Sequence, residues 1–176
     1  MTHHEFDAVG REIAIIYPDS TPNDLNDNPQ TRKEYDLAGQ LVKQIDELGR
    51  AMVYQYEAVG NPIAMTNALN EIWSMDYDAN KRQTATRDPL GNTLRSVYDG
   101  VGNVIQQILP DGSQVLAEYD GHGRLTAQVD GEGGRTEYSY DAYGALVEVI
   151  DPLGNRTSYD RNERSQATAI IDATGR

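Results

Sequence analysis

The chain contains no cysteine, which removes disulfides, thiolate metal sites and cysteine nucleophiles at once. The redox compartment stays open, because disulfide-free chains occur on both sides of a membrane. Only one tryptophan and one phenylalanine occur among 176 residues. Leucine, isoleucine, valine and phenylalanine together supply 35 residues, about 20% of the chain, and the net charge is −13. That combination is poor for a conventional globular enzyme with a large aliphatic core. No run approaches the about 18 apolar residues of a spanning helix, and no membrane span is expected. The N-terminus, Met1-Thr2-His3-His4-Glu5, has neither a basic nor an apolar signal segment, so a cytoplasmic location is expected for a stand-alone chain. Basic residues are scarce as well. Fifteen Lys and Arg face 28 Asp and Glu without forming a cluster, which argues against nucleic acid as a partner.

What is abundant is tyrosine, with 11 copies, and glycine, with 16. The pairing suits sheets joined by tight turns, so the expected fold is all-β. The pairs Tyr35-Asp36, Tyr56-Glu57, Tyr77-Asp78, Tyr98-Asp99, Tyr119-Asp120 and Tyr140-Asp141 recur at a constant separation of 21 residues. Three positions beyond each acidic residue stand Gly39, Gly60, Lys81, Gly102, Gly123 and Gly144. A second series interleaves at the same period of 21: Asp46, Asn67, Asp88, Leu109, Asp130, Asp151 and Asp172. It is followed at the same offset by Gly49, Asn70, Gly91, Gly112, Gly133, Gly154 and Gly175.

Aspartate at the first position of a turn bonds its own backbone two residues on, and glycine at the fourth accepts the positive φ that closes a hairpin. Two such turns per 21 residues leave segments of strand length, about 20 Å at the β rise. Each repeat therefore reads as one β-hairpin, and the array as an open, curved or spiralling antiparallel sheet. Alternation of apolar positions supports this, imperfectly, in Leu41-Val42-Lys43-Gln44-Ile45 and Leu146-Val147-Glu148-Val149-Ile150. The tyrosines recur at one level of successive hairpins, where they are expected to form a ladder that supplies burial. Trp73 falls outside their phase.

The whole chain, 1–176, is expected to be one array. Residues 1–21 read as a degenerate first copy around Phe6-Asp7-Ala8-Val9-Gly10-Arg11, and 22–34 as an inserted loop rich in Pro, Asn and Asp. Residues 35–158 are regular, and 159–176 are a degenerate last copy in which Arg161-Asn162 stands in the Tyr-Asp slot.

The motif Tyr-Asp-x-x-Gly-Asn/Arg, then about ten residues, then Asp-x-x-Gly-Asn/Arg, is clearest at Tyr98–Asn103, Tyr119–Arg124 and Asp151–Asn155. It resembles the RHS or YD repeat over nearly the whole chain. The resemblance implies a long β-sheet spiralling into a hollow shell that encloses a toxin domain, as in bacterial polymorphic toxins of contact-dependent competition and in insecticidal toxin complexes. Teneurins carry a related barrel at the animal cell surface. It also implies further repeats of the same or a parent chain as partners, an enclosed toxin domain, and a secreted or cell-surface location for a full-length protein. A chain of this length is expected to form only a fraction of such a wall, with no toxin domain of its own. The family's closing segment carries a D-P-x-G cleavage motif. Asp88-Pro89-Leu90-Gly91 and Asp151-Pro152-Leu153-Gly154 share its shape but stand in phase with ordinary repeats, where they read as plain turns.

Site chemistry finds little support in the residues. Asp24-Leu25-Asn26-Asp27-Asn28 imitates the start of a calcium loop, but Pro29 and Tyr35 occupy the slots that need Gly and Glu, so no metal or other cofactor is expected. The imidazoles are His3 and His4 at the terminus and His122 in a turn, and no nucleophile or metalloprotease motif occurs. No catalytic residue is assigned, and the protein is expected not to be an enzyme. The alternative is a cell-surface carbohydrate- or peptide-binding module that uses the tyrosine ladder. Two further expectations concern surfaces. The acidic strand residues belong on one face of the sheet, and unpaired edge strands favour self-association.

Overall fold

In the computed structural model the chain is all-β, and the structure describes residues 2–18, 28–162 and 166–174. Sixteen strands and no helix occur among the described residues. They fall into two compact units, 1–92 and 93–176. The first unit holds β1 (His3–Phe6), β2 (Glu12–Ile16), β3 (Gln30–Tyr35), β4 (Leu41–Ile45), β5 (Ala51–Tyr56), β6 (Pro62–Thr66), β7 (Ile72–Tyr77) and β8 (Gln83–Arg87). The second holds β9 (Thr93–Tyr98), β10 (Val104–Ile108), β11 (Gln114–Tyr119), β12 (Leu125–Val129), β13 (Arg135–Tyr140), β14 (Leu146–Ile150), β15 (Arg156–Arg161) and β16 (Ala167–Ile171). Within each unit every strand pairs antiparallel with its neighbours in the chain. Strands of six and five residues alternate from β3 onward, as two turns in 21 residues require.

Pairing within a hairpin differs from pairing between hairpins. In β3–β4 the partners are Arg32↔Ile45, Lys33↔Gln44, Glu34↔Lys43 and Tyr35↔Leu41, so Val42 is the extra residue of a bulge. The equivalent extra residues are Ile63, Thr84, Ile105, Thr126 and Val147, β-branched at every copy. A bulge resets the side-chain phase by one, which is why the alternation in Leu41–Ile45 is imperfect in the sequence. Between hairpins the ladder is shorter, as in Lys43↔Val53, Gln44↔Met52 and Ile45↔Ala51.

The two faces of each unit differ. In β5 the second, fourth and sixth residues, Met52, Tyr54 and Tyr56, are half-buried, whereas Val53 and Gln55 are exposed. β13 repeats the pattern with Thr136, Tyr138 and Tyr140. The pairings place Glu5, Glu34 and Asp76 of the first unit on the face opposite its tyrosines. In the second unit Glu118, Glu137, Glu148 and Asp160 lie likewise. Among the described strand carboxylates only Glu12 lies on the tyrosine side, where it meets Lys33 at 2.9 Å and His4 at 2.9 Å. Trp73 is the second residue of β7 and pairs with Met65, so it shares the face of Tyr77. The expectation that it stands apart from the tyrosines is corrected by strand parity, since four residues along a strand return to the same side.

A packed interior is almost absent. The buried hydrophobic residues are Ala14, Ile16 and Ala85 in the first unit and Ala127 in the second, and no large side chain is fully buried. Backbone ladders, turn bonds and half-burial therefore carry the fold.

The ends follow the repeat more closely than the sequence suggests. Asp7 opens a turn between β1 and β2, with the Gly10 N–H on the Asp7 carbonyl at 3.0 Å. The segment 22–34 is not loop throughout: β3 starts at Gln30, because Gln30, Thr31 and Arg32 pair with Ile16, Ile15 and Ala14. Residues 22–27, including most of the calcium-like stretch, lie outside the described residues, as does Gly175.

Candidate functional site

The repeated feature with the densest chemistry is the five-residue turn. At Asp36 the backbone N–H donates to the Gln40 carbonyl at 3.0 Å, and the Gly39 N–H returns to the Asp36 carbonyl at 3.0 Å. The carboxylate then closes the loop from inside. Oδ1 of Asp46 accepts the N–H groups of Leu48 and Arg50, both at 2.9 Å, and Oδ2 accepts Arg50 Nε at 2.6 Å. The same fifth-position donor serves Asp7 through Arg11 (2.6 Å), Asp78 through Arg82 (2.7 Å) and Asp120 through Arg124 (2.7 Å). Asparagine does it for Asp88, Asp99 and Asp151, from Asn92, Asn103 and Asn155 at 2.7, 2.9 and 2.7 Å. Either side chain donates to a carboxylate oxygen, which is the physical content of Asn/Arg in that slot.

These bonds stabilise the ionised carboxylate. The backbone N–H of Arg124, followed by the Arg124 side chain, holds Asp120 down to about 2. The backbone N–H of the fifth residue acts first in lowering Asp7, Asp46 and Asp78 as well. At Asp88 and Asp151 the leading cause is the asparagine side chain.

Gly39, Gly60, Gly102, Gly123 and Gly144 close the Tyr-Asp turns, and Gly49, Gly91, Gly112, Gly133 and Gly154 close the others, all with positive φ. Where the sequence departs from glycine the backbone does not: Asn70 has φ 61° and Lys81 φ 63°. Leu109 has no carboxylate, and Asp111 takes over by accepting the Ser113 N–H at 2.9 Å. Asp130 accepts the Glu132 and Gly134 N–H groups, Asp141 those of Tyr143 and Ala145, and Asp172 that of Thr174. Asp88–Asn92 and Asp151–Asn155 carry the same bonds as their neighbours, so the two D-P-x-G stretches are built as ordinary turns.

Tyr35, Tyr56, Tyr77, Tyr98, Tyr119 and Tyr140 each end a six-residue strand. The hydroxyls of Tyr56, Tyr119 and Tyr140 donate to the carbonyls of Leu41, Val104 and Leu125 at 2.8, 3.1 and 2.8 Å, each 15 residues upstream. Tyr35 reaches the Glu12 carbonyl at 3.3 Å across the longer spacing. That carbonyl lies just past the end of the three-pair ladder, so the phenol extends the pairing where the backbone stops. In the last copy Arg161 Nε occupies the same place on the Leu146 carbonyl at 3.0 Å, while Asn162 and Gln166 reproduce the turn. Burial pushes the phenols of Tyr56 and Tyr77 up.

What covers the rings is arginine: Arg11 lies over Tyr35 at 4.5 Å and Arg124 over Tyr140 at 4.9 Å. Side chains also pass from turn to turn, with Gln40 Nε2 on the Gly60 carbonyl at 3.2 Å and Lys81 Nζ on the Val59 carbonyl at 3.3 Å. The fifth-position donors and the upstream carbonyls are absent from the sequence-based assignments. Recurrence of Asn or Arg after the glycine was the available signal for the first, and a backbone acceptor leaves no mark on the sequence at all.

Other chemistry is thin. A shallow groove of about 460 Å³ in the first unit is bordered by Gln44, Asp46, Arg50, Met52, Tyr54 and Leu69. His122 contributes its backbone N–H to Asp120, and His4 meets Glu12. Among the described residues no group of three or more His, Asp or Glu side chains is placed to hold a metal ion, and no helix is long and apolar enough to cross a membrane.

Comparison with known proteins finds one family. The RHS Repeat family matches six overlapping segments, 35–72, 56–93, 77–114, 98–136, 119–156 and 140–176. No curated protein matches. Among solved structures, the crystal structure of TcdB2-TccC3-Cdc42 is similar over 92% of this chain, with TM-score 0.58 and 16% identity. The crystal structure of TcdB2-TccC3 is similar over 97%, with TM-score 0.58 and 14% identity. The crystal structure of TcdB2-TccC3 without its hypervariable C-terminal region is similar over 96%, with TM-score 0.51 and 16% identity. The chain spans only 12%, 13% and 12% of those chains, and the likeness is one of fold.

Proposed function

The chain belongs to the RHS repeat family, and on that premise we propose that it is a structural wall segment of a β-shell that encloses a toxin domain, with no catalysis of its own. The observation that carries this reading is the single-layer build: each unit is a sheet with two accessible faces, sided in charge, and almost no interior. A sheet of this kind separates two compartments, whereas an enzyme needs a concave site with convergent groups. The partners in this reading are further RHS repeats and an enclosed domain. Location follows the parent protein: secreted or at the cell surface as part of a long RHS protein, cytoplasmic if the chain stands alone.

The experiment is to sequence the locus on both sides of the coding region and express the whole product for limited proteolysis. In-phase repeats continuing to a variable C-terminal domain that resists protease until the sheet is unfolded support enclosure. Unrelated flanks, or a C-terminal domain cleaved as fast as a free one, refute it. The carbohydrate- or peptide-binding alternative is weakened by two ring faces already covered by Arg11 and Arg124.

A further inference from the structure

The turn tips carry residues that the turn does not use. In each loop the third residue contributes its backbone N–H to the opening carboxylate or amide, as Leu48, Leu69 and Leu90 do at 2.9 Å each. Its side chain has no part in the closure. Asn80, His122 and Glu132 fill the same slot elsewhere with the same bond, so a polar residue serves equally well. Nevertheless Leu48, Leu69 and Leu90 are 75%, 76% and 87% exposed. All three lie on the edge of the first unit where the even strands end. Successive turns on one edge are two strands apart, about 10 Å, so the leucines form a row with that spacing. On the opposite edge the Tyr-Asp turns carry a second apolar row, Val9, Leu37 and Val59, likewise exposed.

We propose that these two rows are the two halves of one self-complementary contact, in which the leucine edge of one repeat array docks on the Tyr-Asp edge of a second copy. The occupant follows from the period. A second copy presents apolar side chains at the same spacing, because both rows are set by the same 21-residue repeat and the same strand separation. An unrelated protein would match this spacing only by coincidence. A head-to-tail contact of this type joins one edge to the other and does not close on itself, so arrays stack in tiers. The inference does not depend on enclosure, since it applies equally to a wall segment and to a free sheet. Three leucines fall well short of the about 1,200 Å² that a stable interface buries, so a single unit docks weakly and the contact strengthens as repeats are added.

The test is sedimentation of the whole chain against the triple variant Leu48→Ser, Leu69→Ser, Leu90→Ser, with amide exchange on the associated wild type. The expected result is wild-type self-association whose dissociation constant rises at least about tenfold in the variant, at an unchanged urea midpoint. New amide protection should appear at turn edges. If the variant associates as the wild type does, if the wild type stays monomeric near about 1 mM, or if new protection is confined to the outer strands β1 and β16, the proposal fails. Should the triple variant unfold more easily, Leu90→Ser alone, next to the φ-fixed Pro89, replaces it in the same comparison.

Discussion

Replacing Gly49 by alanine perturbs the backbone and nothing else. Gly49 has φ +76°, and a Cβ built on it meets no atom within 4 Å. The left-handed conformation costs an L-residue about 1–2 kcal/mol, of which about 0.4–1 kcal/mol is returned because alanine is less free in the unfolded chain. The net loss is about 0.5–1 kcal/mol. Position 81 offers the same measurement in reverse, since Lys81 already holds φ 63°. Lys81→Ala and Lys81→Gly both remove the Nζ bond to the Val59 carbonyl, so their difference isolates the backbone. Glycine should exceed alanine by the same amount at both sites. Urea unfolding followed through Trp73, in the same unit, reads this as a midpoint difference of about 0.3–0.5 M at an m-value of about 2 kcal/mol/M. Alanine equal to or better than glycine at either position would refute the claim that the fourth slot is selected for positive φ.

Tyr56→Phe removes one donor to the Leu41 carbonyl and should cost about 0.5–1.5 kcal/mol in the same assay; a midpoint equal to wild type means that the phenol does not extend the ladder. In the last copy, Arg161→Tyr should be tolerated and Arg161→Met should destabilise, checked by thermal melts, because only the first keeps a donor for Leu146. Acid should weaken the fold in a defined window. The turn carboxylates are lowered below their unfolded value of about 3.9, Asp120 to about 2, so their contribution is complete above about pH 5 and disappears as pH falls towards 2. A pH series of urea midpoints checks this, and Asp120→Asn should flatten it. Alkali acts oppositely: the raised phenols of Tyr56 and Tyr77 contribute below about pH 10 and lose that contribution above it, visible as a falling midpoint as tyrosinate absorbance rises.

The turns and strands were legible because their causes are local. Asp46 and Gly49 state a turn by themselves, and the spacing of 21 residues repeats the statement often enough to fix the fold class. Departures proved legible only in structure. Lys81 and Asn70 look like lost turns, yet the neighbouring bonds hold their φ positive. Gln30-Thr31-Arg32 reads as polar loop, but β2 supplies a strand for it to pair with. The tyrosines announce their period and conceal their partner, since a carbonyl 15 residues away has no residue type. Arg161 shows the consequence: two side chains with no sequence similarity satisfy one acceptor.

The reach of that tyrosine bond bears on how such genes change length. Each hairpin satisfies its own turn within five residues and asks of its predecessor only a short ladder and one carbonyl. Deleting or duplicating one 21-residue unit in register therefore joins two surfaces of the same kind, leaving no polar group stranded and no side chain homeless. Unequal recombination between copies, which usually ruins a protein with an interdigitated interior, yields here a longer or shorter array that still folds.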